Sequence, residues 1–350
     1  MVEENYLLKR SIELDAIRRR YYGELVSVVL PVYNDEETIE ESLQSICRQT
    51  YNNFEVIVVN DGCTDSTPTL LRNIASHNKK IRIITTSHVG TSEAKNIGLK
   101  SSQGSVIFFA EGDAIYDPTY LDEAIKCLDL DIRNGGVCVL GEPWLTRETF
   151  VTMSMCAEKM IIHEMIRRGR LEPYYSWVFP KHVLDEVGAF DPKLSQAEDR
   201  DLFARVKKRG YRIGLVNKVL WHHKRDETLP QFLRKCYIKG KKRVDYLAKN
   251  RRYLEFVRGI IGLWGLAIIL LLFLFSPIIA TESLVIALVL FLVRYSRILF
   301  VGLKIGIQKR WLFLLPLFQI LRYLGNAAGY TAGVFIRSIR GSNKSKEFIN

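Results

Sequence analysis

Short, nearly unbroken apolar runs alternate with stretches of helical periodicity through the first part of the chain. Leu25 to Val32 (LVSVVLPV), Phe54 to Val59 (FEVIVV), Ile81 to Ile84 and Val106 to Phe109 each read as a buried strand rich in β-branched or aromatic residues. Between them, Glu36 to Thr50 sets Ile39, Leu43 and Ile46 on one helical face, and Thr67 to Ser76 and Ser92 to Lys100 also read as helices. Strands alternating with helices predict β-α-β units and an α/β fold with an open, mostly parallel sheet. Further on, Val137 to Leu140 and Val216 to Trp221 read as strands and Glu148 to Arg168 as a helix. Helical spacing through Leu202, Val206 and Arg209 puts Glu198 and Asp199 at a helix N-terminus.

From Gly259 the chain turns mostly apolar. Gly259 to Ser276 carries no charge and is long enough to cross a bilayer, a second run covers Ser283 to Val293, and a third, Trp311 to Phe335, holds Arg322 near its middle. The expectation is two transmembrane helices in an out-and-back hairpin. The third segment is expected to bend near Pro316 or Gly325 to Gly329 and to lie re-entrant or interfacial. The domain boundaries follow: an amphipathic N-terminal helix over 1–24, the α/β domain over 25–245, a basic juxtamembrane linker over 246–258, the membrane region over 259–336 and a basic tail over 337–350.

The net charge is +12, and residues 204–258 hold 18 Lys and Arg against 4 Asp and Glu, enough to account for the whole excess. Placed just before an apolar run, such a block points to the cytosolic side of a membrane rather than to nucleic acid. The six cysteines show no CxxC spacing, so neither a zinc site nor a disulfide framework is implied, and a reducing compartment fits.

Three strand ends carry polar clusters: Tyr33 to Glu36, Asn60 to Asp65, and Glu111 to Asp113. Ligands of open α/β sheets bind beyond the carboxyl ends of the strands. Glu111 and Asp113, one residue apart at the exit of a buried strand, suit a hard divalent cation that also takes phosphate oxygens. The chain has no G-x-G-x-x-G after its first strand and no G-x-x-x-x-G-K-[ST], which disfavours a dinucleotide site and a P-loop.

Taken in order, these segments resemble the inverting glycosyltransferases of family 2, over about residues 24–245. SVVLPVYNDEETI resembles the family's opening strand, VIVVNDGCTDST its second, EAKNIG its A-[RK]-N-x-G segment, AEGDAIYDP its D-x-D motif, and VGAFDPKLSQAEDRDL its acceptor-side segment. The resemblance implies a GT-A fold with a mixed, mostly parallel sheet, here followed by C-terminal transmembrane helices. It implies nucleotide-sugar binding by Pro31, Tyr33, Asn34, Glu36, Asp61, Lys95, Glu111 and Gly112. Asp61 would meet the base, Lys95 the diphosphate and Glu111 the ribose. Asp113 with His222 or His223 would hold Mn²⁺ or Mg²⁺, and Glu198 and Asp199 would form the catalytic pair, with Asp199 as general base. Arg234 stands in a Gln231-x-x-Arg segment that lacks the Trp of processive synthases, which argues for transfer of a single sugar.

The expected function is therefore a membrane-anchored, multi-pass enzyme with its catalytic domain on the cytosolic side, at the plasma membrane if prokaryotic. It would move a sugar from a UDP-sugar, or a GDP-sugar, to a hydroxyl of a lipid-linked acceptor, with no nucleic-acid partner. The alternatives are a polyprenyl-phosphate sugar synthase and a non-catalytic scaffold of the same fold.

Overall fold

The computed structural model describes residues 20–131, 133–144, 148–172, 177–194, 197–224, 228–249 and 277–347. In chain order the first half runs β1 (Val26–Val32), α1 (Ile39–Cys47), β2 (Phe54–Asn60), α2 (Thr67–His77), β3 (Ile81–Thr85), α3 (Thr91–Lys100), β4 (Val106–Phe109) and β5 (Ala114–Tyr116). Then follow α4 (Tyr120–Asp129), β6 (Asn134–Trp144), α5 (Phe150–Arg167), β7 (Trp177–Pro180), α6 (Lys181–Val187), α7 (Glu198–Lys208) and β8 (Arg212–Lys224). The last helices are α8 (Leu229–Lys249), α9 (Pro277–Lys304) and α10 (Lys309–Glu347). The chain divides into two compact units, the first containing all eight strands and the second formed by 145–168, 194–197 and 225–350.

In the first unit the strands form one mixed sheet in the order β3-β2-β1-β4-β7-β6-β8-β5. The pairs β1–β2, β2–β3 and β1–β4 are parallel, whereas β7 lies antiparallel to both β4 and β6. The central strands are apolar throughout because both of their faces are covered. Val28 and Leu30 of β1 join Phe108 of β4 in one core, while Val29 joins Ile107 and Phe109 in another. Ile39, Leu43 and Ile46 form the buried stripe of α1, as their spacing predicts. The parallel strands β1, β2 and β4 thus deliver their three polar ends to the same edge.

The second unit is helical and corrects the expected membrane region. Among the described residues no helix is long and apolar enough to cross a membrane. The run Gly259 to Ser276 lies outside the described residues, as does the N-terminal helix up to residue 19. The second run falls within α9, whose sequence also carries Glu282, Arg294, Arg297 and Lys304. The third falls within α10, a helix that continues through Pro316 and Gly325 to Gly329. One face of α10 is packed within the unit, while Phe313, Leu317 and Ile320 stay exposed. Leu312, Leu315 and Phe318 share a core with Val151 and Ile161 of α5 and Phe232 and Cys236 of α8. Arg322 pairs with Glu158 of α5 rather than with a headgroup. Gly329 brings α10 so close to α8 that an added Cβ would stand 2.0 Å from the Tyr237 carbonyl oxygen. Within the described residues this finding overturns the expected transmembrane helices, and with them the membrane anchor, the multi-pass placement and the membrane as a partner. The lipid-linked acceptor was inferred from the anchor and loses that support.

Candidate functional site

The loop after β1 is stitched to the loop after β2. Asn34 turns the chain at φ +56, a conformation Asn tolerates, and its Oδ1 accepts from the Thr64 N–H at 2.8 Å. Its own N–H donates to Cys63 Sγ at 3.2 Å. Glu36 is spent similarly: its Oε2 accepts from the Ser66 N–H at 2.9 Å. Pro31 lies in β1 opposite Val59, and Tyr33 is exposed, stacked on His88 with ring centroids 4.0 Å apart.

Asp61 is buried and holds the 86–90 loop. Its Oδ1 accepts from the Thr86 hydroxyl and the Val89 N–H, both at 2.6 Å, and its Oδ2 from the Gly90 N–H at 2.9 Å. His88 adopts φ +60, and a Cβ on the neighbouring Gly62 would meet its backbone nitrogen at 2.7 Å. The Asp61 carboxylate therefore shapes the segment that presents His88 to Tyr33.

Beyond β4, Glu111, Asp113 and His223 each place one ligand atom within 4.8 Å of the others. Antiparallel pairing of β5 with β8 sets Ala114 opposite His223 and brings the histidine to the carboxylates. His223 Nε2 lies 2.7 Å from Asp113 Oδ1 and 3.2 Å from Glu111 Oε2. Adjacent ligands on one octahedral Mg²⁺-sized ion stand about 3 Å apart, so these separations fit a shared cation. Two carboxylates with one imidazole form a donor set open to Mn²⁺ as well as Mg²⁺. His222 precedes His223 in the strand and points to the opposite face, so it is not part of this cluster. Glu111, expected at the ribose, has its carboxylate among these ligand atoms.

Two neighbours support the cluster. The buried Tyr116 hydroxyl accepts from the Glu111 N–H at 2.8 Å, and burial followed by the Glu111 charge pushes its pKa well up. Asp35 packs against Gly112, where an added Cβ would stand 2.6 Å from Asp35 Oδ2. Loss of water, then the Asp113 charge, raises Asp35 to about 6, against smaller opposing effects from the Tyr33 N–H and His223.

A second constellation lies across the same unit. Lys95 of α3 donates to Glu198 Oε1 at 3.1 Å and Asp199 Oδ1 at 2.9 Å, and its Nζ lies 4.7 Å from the Phe190 ring centroid. The next residue, Asn96, makes a paired contact with the Phe190 backbone: Nδ2 donates to its carbonyl and Oδ1 accepts its N–H, both at 2.9 Å. Gly98 then lets α3 lie on the sheet, since a Cβ there would stand 2.3 Å from Val29 Cγ1. Burial pulls the Lys95 pKa down, but Asp199 and Glu198 outweigh it and hold the ammonium above the ordinary lysine range. Asp199 is raised to about 6, because loss of water outweighs the pull of Lys95 and Glu198 adds like charge.

Arg234 is exposed on α8 and belongs to the second unit. Sequence reasoning passed over Asp35, His88, Asn96 and Tyr116 as site residues. Asp35 and Asn96 stood inside the quoted motifs, and Tyr116 just behind the paired carboxylates. For His88 the signal was weaker: a polar residue between the third strand and the following helix.

Residues 27–140 match the model of the family described as Glycosyl transferase family 2, and residues 150–344 that of Glycosyl transferase family 21. The chain is 40% identical over 209 residues to the uncharacterized glycosyltransferase EpsJ of Bacillus subtilis, a match covering 56% of this chain and 60% of that protein. It is 31% identical over 192 residues to an uncharacterized glycosyltransferase of Rickettsia conorii, covering 53% of this chain and 32% of the relative. The match therefore spans less than two thirds of the length of either relative. Among solved structures, the mannosyltransferase PcManGT of Pyrobaculum calidifontis, in complex with GDP-Man and Mn²⁺, has the same fold. It aligns at a TM-score of 0.55 and 19% identity, covering 87% of each chain.

Proposed function

The chain belongs to the glycosyltransferases, family 2 over its first part and family 21 over its second, and from that premise we propose that it moves a sugar from a nucleoside-diphosphate donor to an acceptor hydroxyl. The observation that carries this reading is the Glu111, Asp113 and His223 cluster at the carboxyl edge of the parallel strands. These three residues would hold a divalent cation, which when bound would supply neutralisation of the leaving diphosphate. Tyr33 and His88 offer a stacked, exposed aromatic pair for the nucleobase, beside the loop that Asp61 fixes. Pro31, Asn34, Glu36 and Gly112 shape the donor side through the backbone and the loop contacts described above. Asp199 takes the proton of the attacking hydroxyl, with Glu198 beside it. A single displacement of this kind inverts the anomeric centre.

UDP-sugars and GDP-sugars are the donors to test first. The full chain is incubated with each donor and Mn²⁺, and nucleoside diphosphate release is followed alongside Asp113→Ala and Asp199→Asn. Release from one donor, lost in both variants and on chelation, is the expected result. No turnover and no metal-dependent nucleotide binding across the panel would overturn the reading.

A further inference from the structure

The short helix α3 carries two consecutive side chains that both reach the acceptor side. Asn96 clasps the Phe190 backbone, and Lys95 bridges Glu198 and Asp199. The Lys95 side chain is 11% exposed, so the ammonium is largely enclosed by these partners and the Phe190 ring. Its position is set from three directions: by the ring beneath it, by the two carboxylates, and by the seating of α3 against β1 at Gly98.

We propose that Lys95 is a positioning residue for the base: shared between Glu198 and Asp199, its ammonium fixes the Asp199 carboxylate and keeps it ionised, instead of binding the donor diphosphate. The inference rests on the reading of Asp199 as base. Two carboxylates side by side, with Glu198 14% and Asp199 36% exposed, repel one another, and a single cation between them weakens the tendency of either to hold a proton. The 2.9 Å contact engages Asp199 Oδ1, a charge-assisted bond that holds the carboxylate in place. Three charged groups act on Asp199: Lys95 from α3, Glu198 from its own helix, and Glu111 from beyond β4.

The test uses the full chain with Mn²⁺ and compares Lys95→Met, Lys95→Arg, Glu198→Gln and Asp199→Asn. Nucleoside diphosphate affinity is measured by calorimetry, and kcat and donor KM are measured as functions of pH. Lys95→Met is expected to leave nucleoside diphosphate affinity within about threefold while lowering kcat about 10²-fold, the cost of a misplaced catalytic group. Its acid limb should move to higher pH, and Lys95→Arg should recover part of the rate. Glu198→Gln removes the competing carboxylate and should move the acid limb to lower pH, a readout that stands even if Lys95→Met fails to fold. A loss of nucleoside diphosphate affinity of tenfold or more in Lys95→Met, with the limb unmoved, would overturn the proposal and give Lys95 to the donor. An unmoved or raised limb in Glu198→Gln would overturn it as well. Wild-type rates in Asp199→Asn would instead bring down the assignment of the base itself, and this inference with it.

Discussion

His223 Nε2 lies 2.7 Å from Asp113 Oδ1 although 110 residues separate them in the chain. The contact is made by a three-residue strand, β5, which pairs antiparallel with the end of β8 and sets Ala114 opposite His223. Because β5 begins immediately after Asp113, the pairing aligns the carboxylate with the histidine and leaves His222 on the other face of the strand.

Metal dependence should follow that alternation. Asp113→Ala is expected to lower turnover by about 10²-fold or more, the scale of losing one preorganised electrostatic contribution in a transition state. His223→Ala should weaken Mn²⁺ binding, while His222→Ala should leave it nearly unchanged. Titration of Mn²⁺ against each variant checks this. Equal losses in the two histidine variants would show that the strand register does not select the ligand.

Asp199 gives the pH dependence its sign. Its pKa stands at about 6, and a base must be ionised to act, so turnover should rise with pH through about 6 and level off above it. Asp199→Asn should lose about 10²- to 10⁴-fold in kcat. A kcat profile that is flat from about pH 5 to 8 in the unmodified protein would exclude this residue as the base.

Much of the sheet was legible because strands buried on both faces are apolar without interruption, as β1, β2 and β4 are. Their polar ends could be read for the same reason: in a parallel sheet they must share an edge. The pairing of β5 with β8 could not be read, since a short strand carries little register information and its partner lies far along the chain. The apolar runs of α9 and α10 misled for a related reason. Leu315 and Phe318 look alike in sequence whether their neighbours are lipid or, as here, Val151 and Phe232. The ion pair of Arg322 with Glu158 and its hydrogen bond to Gln319 account for a charge midway along such a run.

Gly98 tests the seating of α3. A Cβ at this position would stand 2.3 Å from Val29 Cγ1 and 3.3 Å from Val59 Cγ2, both on β-branched side chains held in the sheet. Neither can swing aside, so Gly98→Ala should destabilise the fold by about 1–3 kcal/mol. Denaturant unfolding measures this directly. Turnover should fall further than the folded fraction alone explains, because Lys95 and Asn96 ride on the same helix.

Asp61 should report on the donor loop rather than on chemistry. Its carboxylate accepts from Val89 and Gly90 N–H groups and from the Thr86 hydroxyl. Removing it strands donors that are partly enclosed, each worth about 1–3 kcal/mol if it finds no other partner. Water can reach the loop once it loosens, so Asp61→Ala should cost about 2–4 kcal/mol rather than the full sum. His88, held at φ +60 within that loop, would then lose its fixed stack on Tyr33. Donor KM should rise and kcat at saturating donor should change little, since the metal ligands and Asp199 are untouched. Asp61→Asn keeps one oxygen acceptor and should fall between the two in both stability and KM. An Asp61→Ala variant that melts like the unmodified protein would mean that the loop is organised by other contacts.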